Sequence, residues 1–166
     1  MKTIYLAGGC FWGMQKFFDQ FDGIMNTETG YANGPDKAPS YREVCNNSGH
    51  AETLKIDFDE SRIRPGEILD YYFMVIDPLS VNRQGEDSGI QYRTGIYYTD
   101  KSMLPELEAI YQSYEKKTGS LLAVELKPLQ NFFPAEEYHQ KYLDKNPGGY
   151  CHIPARYFDL DKKKTE

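Results

Sequence analysis

Residues 2–21 read KTIYLAGGCFWGMQKFFDQF, and the hydrophobic period changes inside this stretch. Residues 2–7 carry apolar side chains at both parities, Ile4 and Leu6 against Tyr5 and Ala7, as a central strand buried on both faces does. Met14, Phe17, Phe18 and Phe21 then recur at i, i+3, i+4 and i+7, the stripe of a helix packed along one side. Gly8, Gly9 and Cys10 stand between the two patterns. A glycine pair permits a sharp turn, so Cys10 is expected at the N-terminus of the helix. Unpaired N–H groups and the dipole there favour a thiolate. On the helical wheel Trp12 points almost opposite the apolar stripe, and Phe11 falls at its edge. Trp12 is therefore expected as an exposed aromatic wall beside a reactive thiol, or packed beneath a long loop.

The same alternation of strand and helix continues along the chain. GIMNTETGYANG (23–34) reads as a second strand ending in a Gly-Pro loop, and AETLKIDFD (51–59) alternates cleanly. Pro65 opens a helix that turns Ile68, Leu69, Tyr72, Phe73 and Ile76 inward and stops at Asp77-Pro78. Tyr92 begins a strand carrying Ile96 and Tyr98, and Ser102 is placed to cap a helix with Pro105 in its first turn. Leu122, Val124 and Leu126 mark a last strand, and PAEEYHQKYLDKN (134–146) a last helix. One apolar stripe per helix implies an α/β two-layer sandwich with a mixed sheet. Long loops fall at 30–50, 77–92 and 145–157, lengths that often serve function. A single domain is expected over residues 1–158, with 159–166 a loose charged tail.

At 166 residues a chain buries about 70% of its unfolded surface and needs no metal or disulfide to hold its core. The net charge of −6 argues against nucleic-acid and anionic-membrane surfaces, which call for basic patches. No apolar run approaches the roughly 18 residues of a membrane span. Three cysteines, Cys10, Cys45 and Cys151, do not make a disulfide scaffold, and a cytoplasmic protein is expected. His50, His139 and His152 lack ligand spacing, so no metal is expected.

Two further elements could serve chemistry. Glu52 shares its parity with Leu54, Ile56 and Phe58. If pairing begins at residue 52, its carboxyl faces the apolar side of the sheet, and burial raises its pKa until it can donate a proton near neutrality. The alternative is a frayed strand end in water. Tyr41 and Tyr92 sit near loop mouths, where their hydroxyls are available. A one-cysteine peroxidase or an aromatic peptide-binding module would also fit the region around Cys10.

The motifs GGCFWG (8–13), YREVC (41–45), GHAE (49–52), GEDSGIQYR (85–93) and GGYC (148–151) occur in that order. The chain thereby resembles the A-type peptide-methionine sulfoxide reductases over about residues 2–158. The resemblance implies a ferredoxin-like core with added helices and long coils, action on the S epimer of methionine sulfoxide, free or peptide-bound, and thiol chemistry without a cofactor. It makes Cys10 the nucleophile, Glu52 the proton donor, and Tyr41 and Tyr92 hydroxyls around the sulfoxide oxygen. Phe11 and Trp12 would hold the S-methyl group, and Asp87 would bind substrate. Cys151 would resolve the sulfenic acid from a mobile C-terminal segment, with thioredoxin as reductant and a monomer as the working unit. Cys45 falls at a position that is usually buried and non-catalytic. The absence of a cysteine after Cys151 favours a two-cysteine cycle.

Overall fold

A computed structural model of the chain describes residues 1–160. β1 (Lys2–Ala7) turns through Gly8-Gly9-Cys10 into α1 (Phe11–Asp19), followed by β2 (Ile24–Ala32), α2 (Tyr41–Cys45), β3 (Ala51–Phe58) and α3 (Pro65–Val75). A two-residue-strand hairpin, β4 (Arg83–Gln84) and β5 (Asp87–Ser88), fills part of the expected loop at 77–92. Then come β6 (Gly95–Tyr98), α4 (Leu104–Thr118), β7 (Glu125–Pro128), β8 (Phe132–Pro134) and α5 (Tyr142–Lys145).

The main sheet runs β7-β6-β1-β3-β2-β8. Only the β6–β7 pair is parallel among its ladders. β1 sits inside the sheet, with Leu6 opposite both Leu54 and Ile96, which explains why both its faces are apolar. One face buries Ile4, Leu6, Leu54, Ile56, Phe58 and Ile96 against Met14, Phe17 and Phe18 of α1 and Ile68, Leu69 and Tyr72 of α3. The other face holds the smaller cluster of Tyr5, Ala7, Ala32, Ala51 and Tyr97. The arrangement is the expected two-layer sandwich on a mixed sheet. Tyr72 ties α3 to the turn before Cys10: its hydroxyl donates to the Ala7 carbonyl at 2.5 Å and accepts from the Gly95 N–H at 3.1 Å.

Several local expectations need correction. The helix expected over 134–146 is broken into a 3-10 turn, Glu137–His139, and the four-residue α5. Gln140 is the cause. Its side chain bonds both the N–H and the carbonyl of Thr29, each at 2.9 Å, while Lys141 (φ 55°) donates its N–H to Gln15 at 2.7 Å. Bonds to β2 and α1 thus replace the helical ladder. Tyr92 ends a 3-10 turn, and its strand starts only at Gly95. Asp100, not Ser102, is the cap: it accepts from the Ser102 N–H at 2.9 Å and closes a 3-10 turn before α4. Leu122 and Val124 precede β7, where their carbonyls face the Tyr111 hydroxyl. Residues 159 and 160 of the expected loose tail are held by the fold. Asp159 completes a 3-10 turn, and the Leu160 N–H donates to Gln20 at 2.7 Å. The remainder of that expectation, residues 161–166, lies outside the described residues.

Candidate active site

The turn between β1 and α1 places Cys10 at the N-cap of the helix in extended backbone geometry, as expected. Its protonation state departs from expectation. Burial and the neighbouring Glu52 carboxyl push the Cys10 thiol far above its ordinary range. The Trp12 N–H favours the thiolate without closing a capping hydrogen bond. Desolvation of a residue that is only 7% exposed outweighs the helix terminus, so the resting residue is a thiol.

Glu52 is the paired partner of Tyr31 in the β2–β3 ladder and is 1% exposed. The frayed-end alternative is therefore excluded. Its Oε1 accepts the Phe11 N–H at 3.2 Å, which locks the carboxyl one residue along from Cys10. Its Oε2 has no partner among the described residues. Burial, and then the charge of Asp87, raise its pKa to about 8 against the opposing Phe11 N–H. At neutral pH Glu52 thus holds a proton on a group with an unused oxygen.

Phe11 and Trp12 both pack against neighbouring side chains. Phe11 is 1% exposed and packs with Tyr31, Val44 and Ala135 in a cluster separate from the main core. Trp12 is half-buried. Its ring stacks on Tyr142 at 3.7 Å with planes 13° apart, and its Nε1–H donates to His139 Nδ1 at 2.9 Å. The wheel put Trp12 off the core correctly, but segment 137–145 covers one side of it. His139 is the hub that sequence reasoning missed, its ring 5.3 Å from Phe11, 4.4 Å from Tyr41 and 4.2 Å from Tyr138. Behind them Glu136 accepts from the Tyr31 hydroxyl at 2.7 Å and the Tyr41 N–H at 2.9 Å. No sequence pattern links Trp12 to partners more than a hundred residues away.

Tyr41 opens α2 behind a Ser40–Glu43 capping box, and Tyr92 ends the 3-10 turn whose carbonyl accepts the Gly9 N–H at 3.2 Å. Burial raises both hydroxyls and Glu52 raises them further, so both stay protonated as hydrogen-bond donors. Asp87, on β5, is raised by burial, opposed by the Tyr150 hydroxyl and the Cys10 N–H. Tyr150, held near this carboxyl, rises to about 12 through burial and the Asp87 charge.

Cys151 does not hang on a loose tail. Its thiol accepts the Ile153 N–H at 3.3 Å and packs against Gly13 of α1. Burial raises its pKa, with the Ile153 N–H opposing. A groove of about 810 Å³ between α1, α5 and this segment has Cys151 on its wall, along with Lys16, Leu143 and Phe158. Cys45, expected to be buried, is exposed, because the short α2 turns its C-terminal end outward. His50 is the hydrogen-bonding loop residue expected, with Nδ1 2.8 Å from Ser48 Oγ and Nε2 2.9 Å from the Pro35 carbonyl.

A buried cysteine and a protonated carboxyl at one helix start, with a second cysteine docked on that helix, define the site class as a thiol-dependent oxidoreductase. The comparisons make it particular. A family model described as "Peptide methionine sulfoxide reductase" matches residues 2–166. The peptide methionine sulfoxide reductase MsrA of Lachnoclostridium phytofermentans is 54% identical, over 97% of this chain and 98% of that protein. Mxr1 of Saccharomyces cerevisiae in its reduced form superposes with a TM-score of 0.87 at 38% identity, covering 92% of this chain and 91% of Mxr1. Mxr1 in complex with Trx2 matches at a TM-score of 0.60 and 26% identity, over 85% of this chain and 84% of that one. The chain belongs to the peptide methionine sulfoxide reductase family and is an oxidoreductase that reduces methionine sulfoxide.

Proposed function

We propose that Cys10 attacks the sulfoxide sulfur while Glu52 protonates its oxygen. The observation that carries this reading is the buried, protonated Glu52 carboxyl with a free Oε2 beside the Cys10 helix start. Attack needs a soft nucleophile at sulfur and a proton at oxygen. Glu52 gives its proton to the oxygen, and the proton leaving the Cys10 thiol restores Glu52. The sulfoxide is thereby reduced by two electrons, methionine leaves, and the oxygen stays on Cys10 as a sulfenic acid. Tyr41 and Tyr92 steady the oxygen with their hydroxyls. Phe11 and Trp12 take the S-methyl group, and Asp87 binds the substrate. The substrate is the S epimer of methionine sulfoxide, free or peptide-bound.

Cys151 then attacks the sulfenic acid. The two sulfurs join in a disulfide and water leaves. Thioredoxin reduces the disulfide by thiol exchange, a reading supported by the Trx2 complex of Mxr1. The working unit is a monomeric catalytic domain in the cytoplasm. No helix among the described residues is long and apolar enough to cross a membrane.

The test supplies each epimer of a methionine sulfoxide peptide with a dithiol. The S epimer is consumed by the wild-type chain and spared by Cys10→Ser. Equal consumption in that variant, or loss of the R epimer alone, overturns the reading.

A further inference from the structure

One buried titratable side chain plays no part in this cycle. His152 follows Cys151, and its side chain is 6% exposed. Neither ring nitrogen has a hydrogen-bond partner among the described residues. The far edge of the ring fills the space that Gly9 leaves. Its Cε1 and Nε2 lie 2.8 and 2.9 Å from where a β-carbon on residue 9 would stand, and Gln84 Cβ closes the notch at 2.9 Å. Gly9 has φ +75°, so both backbone conformation and ring exclude a side chain there. Nδ1 of His152 faces Asp87 Oδ2 at 3.8 Å, and that oxygen is itself unpartnered.

The neighbouring residues pack against α1 at Gly13. The Cys151 sulfur lies 2.5 Å from the β-carbon position of Gly13, and Ile153 Cδ1 lies 3.3 Å from it. Residues 151–153 therefore straddle the helix start. His152 seats at the residue before Cys10, and Cys151 and Ile153 seat one turn after it.

We propose that His152 is the positioning residue of the resolving step: its ring, seated in the Gly9 notch opposite Asp87, holds Cys151 where it meets oxidised Cys10. The proposal rests on the roles assigned above to Cys10 and Cys151. His152 exchanges no atoms; Cys10 sulfenic acid and the Cys151 thiol still yield one disulfide and one water. Burial lowers the imidazole pKa to about 4, so the ring seats neutral and brings no charge into the notch.

The test is a single turnover of the full chain without reductant, following methionine release, thiol loss and trapping of sulfenic acid by a dione reagent. In His152→Ala, release of one methionine keeps its wild-type rate. Disulfide formation slows by about tenfold or more, and trapped sulfenic acid accumulates. His152→Phe fills the notch with a ring of similar shape and restores disulfide formation to within about threefold of wild type. A wild-type rate of disulfide formation in His152→Ala overturns the proposal, as does an alanine-like rate in His152→Phe. If the wild-type chain releases methionine without losing two thiols, the Cys10–Cys151 reading fails and takes this proposal with it. Equal slowing of methionine release and disulfide formation marks a general structural defect and overturns the positioning role.

Discussion

The Cys151 sulfur rests 2.5 Å from the point where a side chain on Gly13 would begin. Residue 13 lies one helical turn past the nucleophile, so this missing β-carbon is the seat of the second thiol. Gly13 is buried within α1, where alanine would ordinarily be the better helix former by about 0.5–1 kcal/mol.

Gly13→Ala is therefore expected to separate folding from cycling. The helix itself gains propensity, but a methyl group at residue 13 pushes Cys151 off its seat. Release of the first methionine should stay within about twofold of wild type, and disulfide formation should fall by about tenfold or more. Rapid-quench counting of methionine and free thiols measures both steps. A disulfide step at the wild-type rate would show that the Gly13 contact is incidental.

The pH dependence of the first step follows from Glu52. The acid form is the donor, and its pKa stands at about 8. The single-turnover rate of methionine release should be level near neutrality and decline as pH rises through about 8. Glu52→Gln removes the donor and should lower that rate by roughly 10²–10⁴, abolishing the inflection. An unchanged inflection in this variant would assign the titration to another group.

The same residue makes a stability prediction. Its folded pKa of about 8 lies above the roughly 4.3 of an exposed glutamate. The folded state therefore holds the proton more tightly than the unfolded chain does. The stability it contributes is complete below pH of about 4.3 and is lost as pH rises through about 8. Glu52→Gln should thus be more stable than wild type at pH of about 9 and lose that advantage at pH of about 5. Urea unfolding at the two pH values checks the sign.

Trp12→Phe keeps a ring against Tyr142 but deletes the donor to His139 Nδ1. His139 is 1% exposed, and its Nδ1 would be left without a partner. A loss of about 1–3 kcal/mol is expected, with a higher KM for sulfoxide and a smaller change in the rate of the disulfide step. Thermal unfolding and steady-state kinetics test the two halves. An unaltered Tm would mean that water replaces the indole N–H.

Much of the site was legible where local periodicity decides position. The strand-to-helix switch over residues 2–21 located Cys10, and the alternation from Glu52 to Phe58 placed a carboxyl on the helix-bearing face. Two readings failed for a shared reason. The 134–146 helix and the strand start at Tyr92 yielded to partners the local pattern does not contain, whereas the Ser102 cap yielded to Asp100, two residues upstream. Gln140 finds Thr29, 111 residues away, and this distant bond outweighs an amphipathic pattern.

By itself, then, the sequence determined the switch from strand to helix over residues 2–21, the turn that places a cysteine at a helix start, and the inward parity of Glu52. These depend on side-chain period and on glycine, which act over a few residues. The tertiary structure decided the protonation of Cys10 and Glu52, the His139 hub beneath Trp12, and the seating of residues 151–153 on Gly9 and Gly13. Each of these depends on how much water is excluded by chain segments distant in sequence. Desolvation, which turned the expected Cys10 thiolate into a thiol, is a property of the assembled neighbourhood rather than of any residue's immediate neighbours.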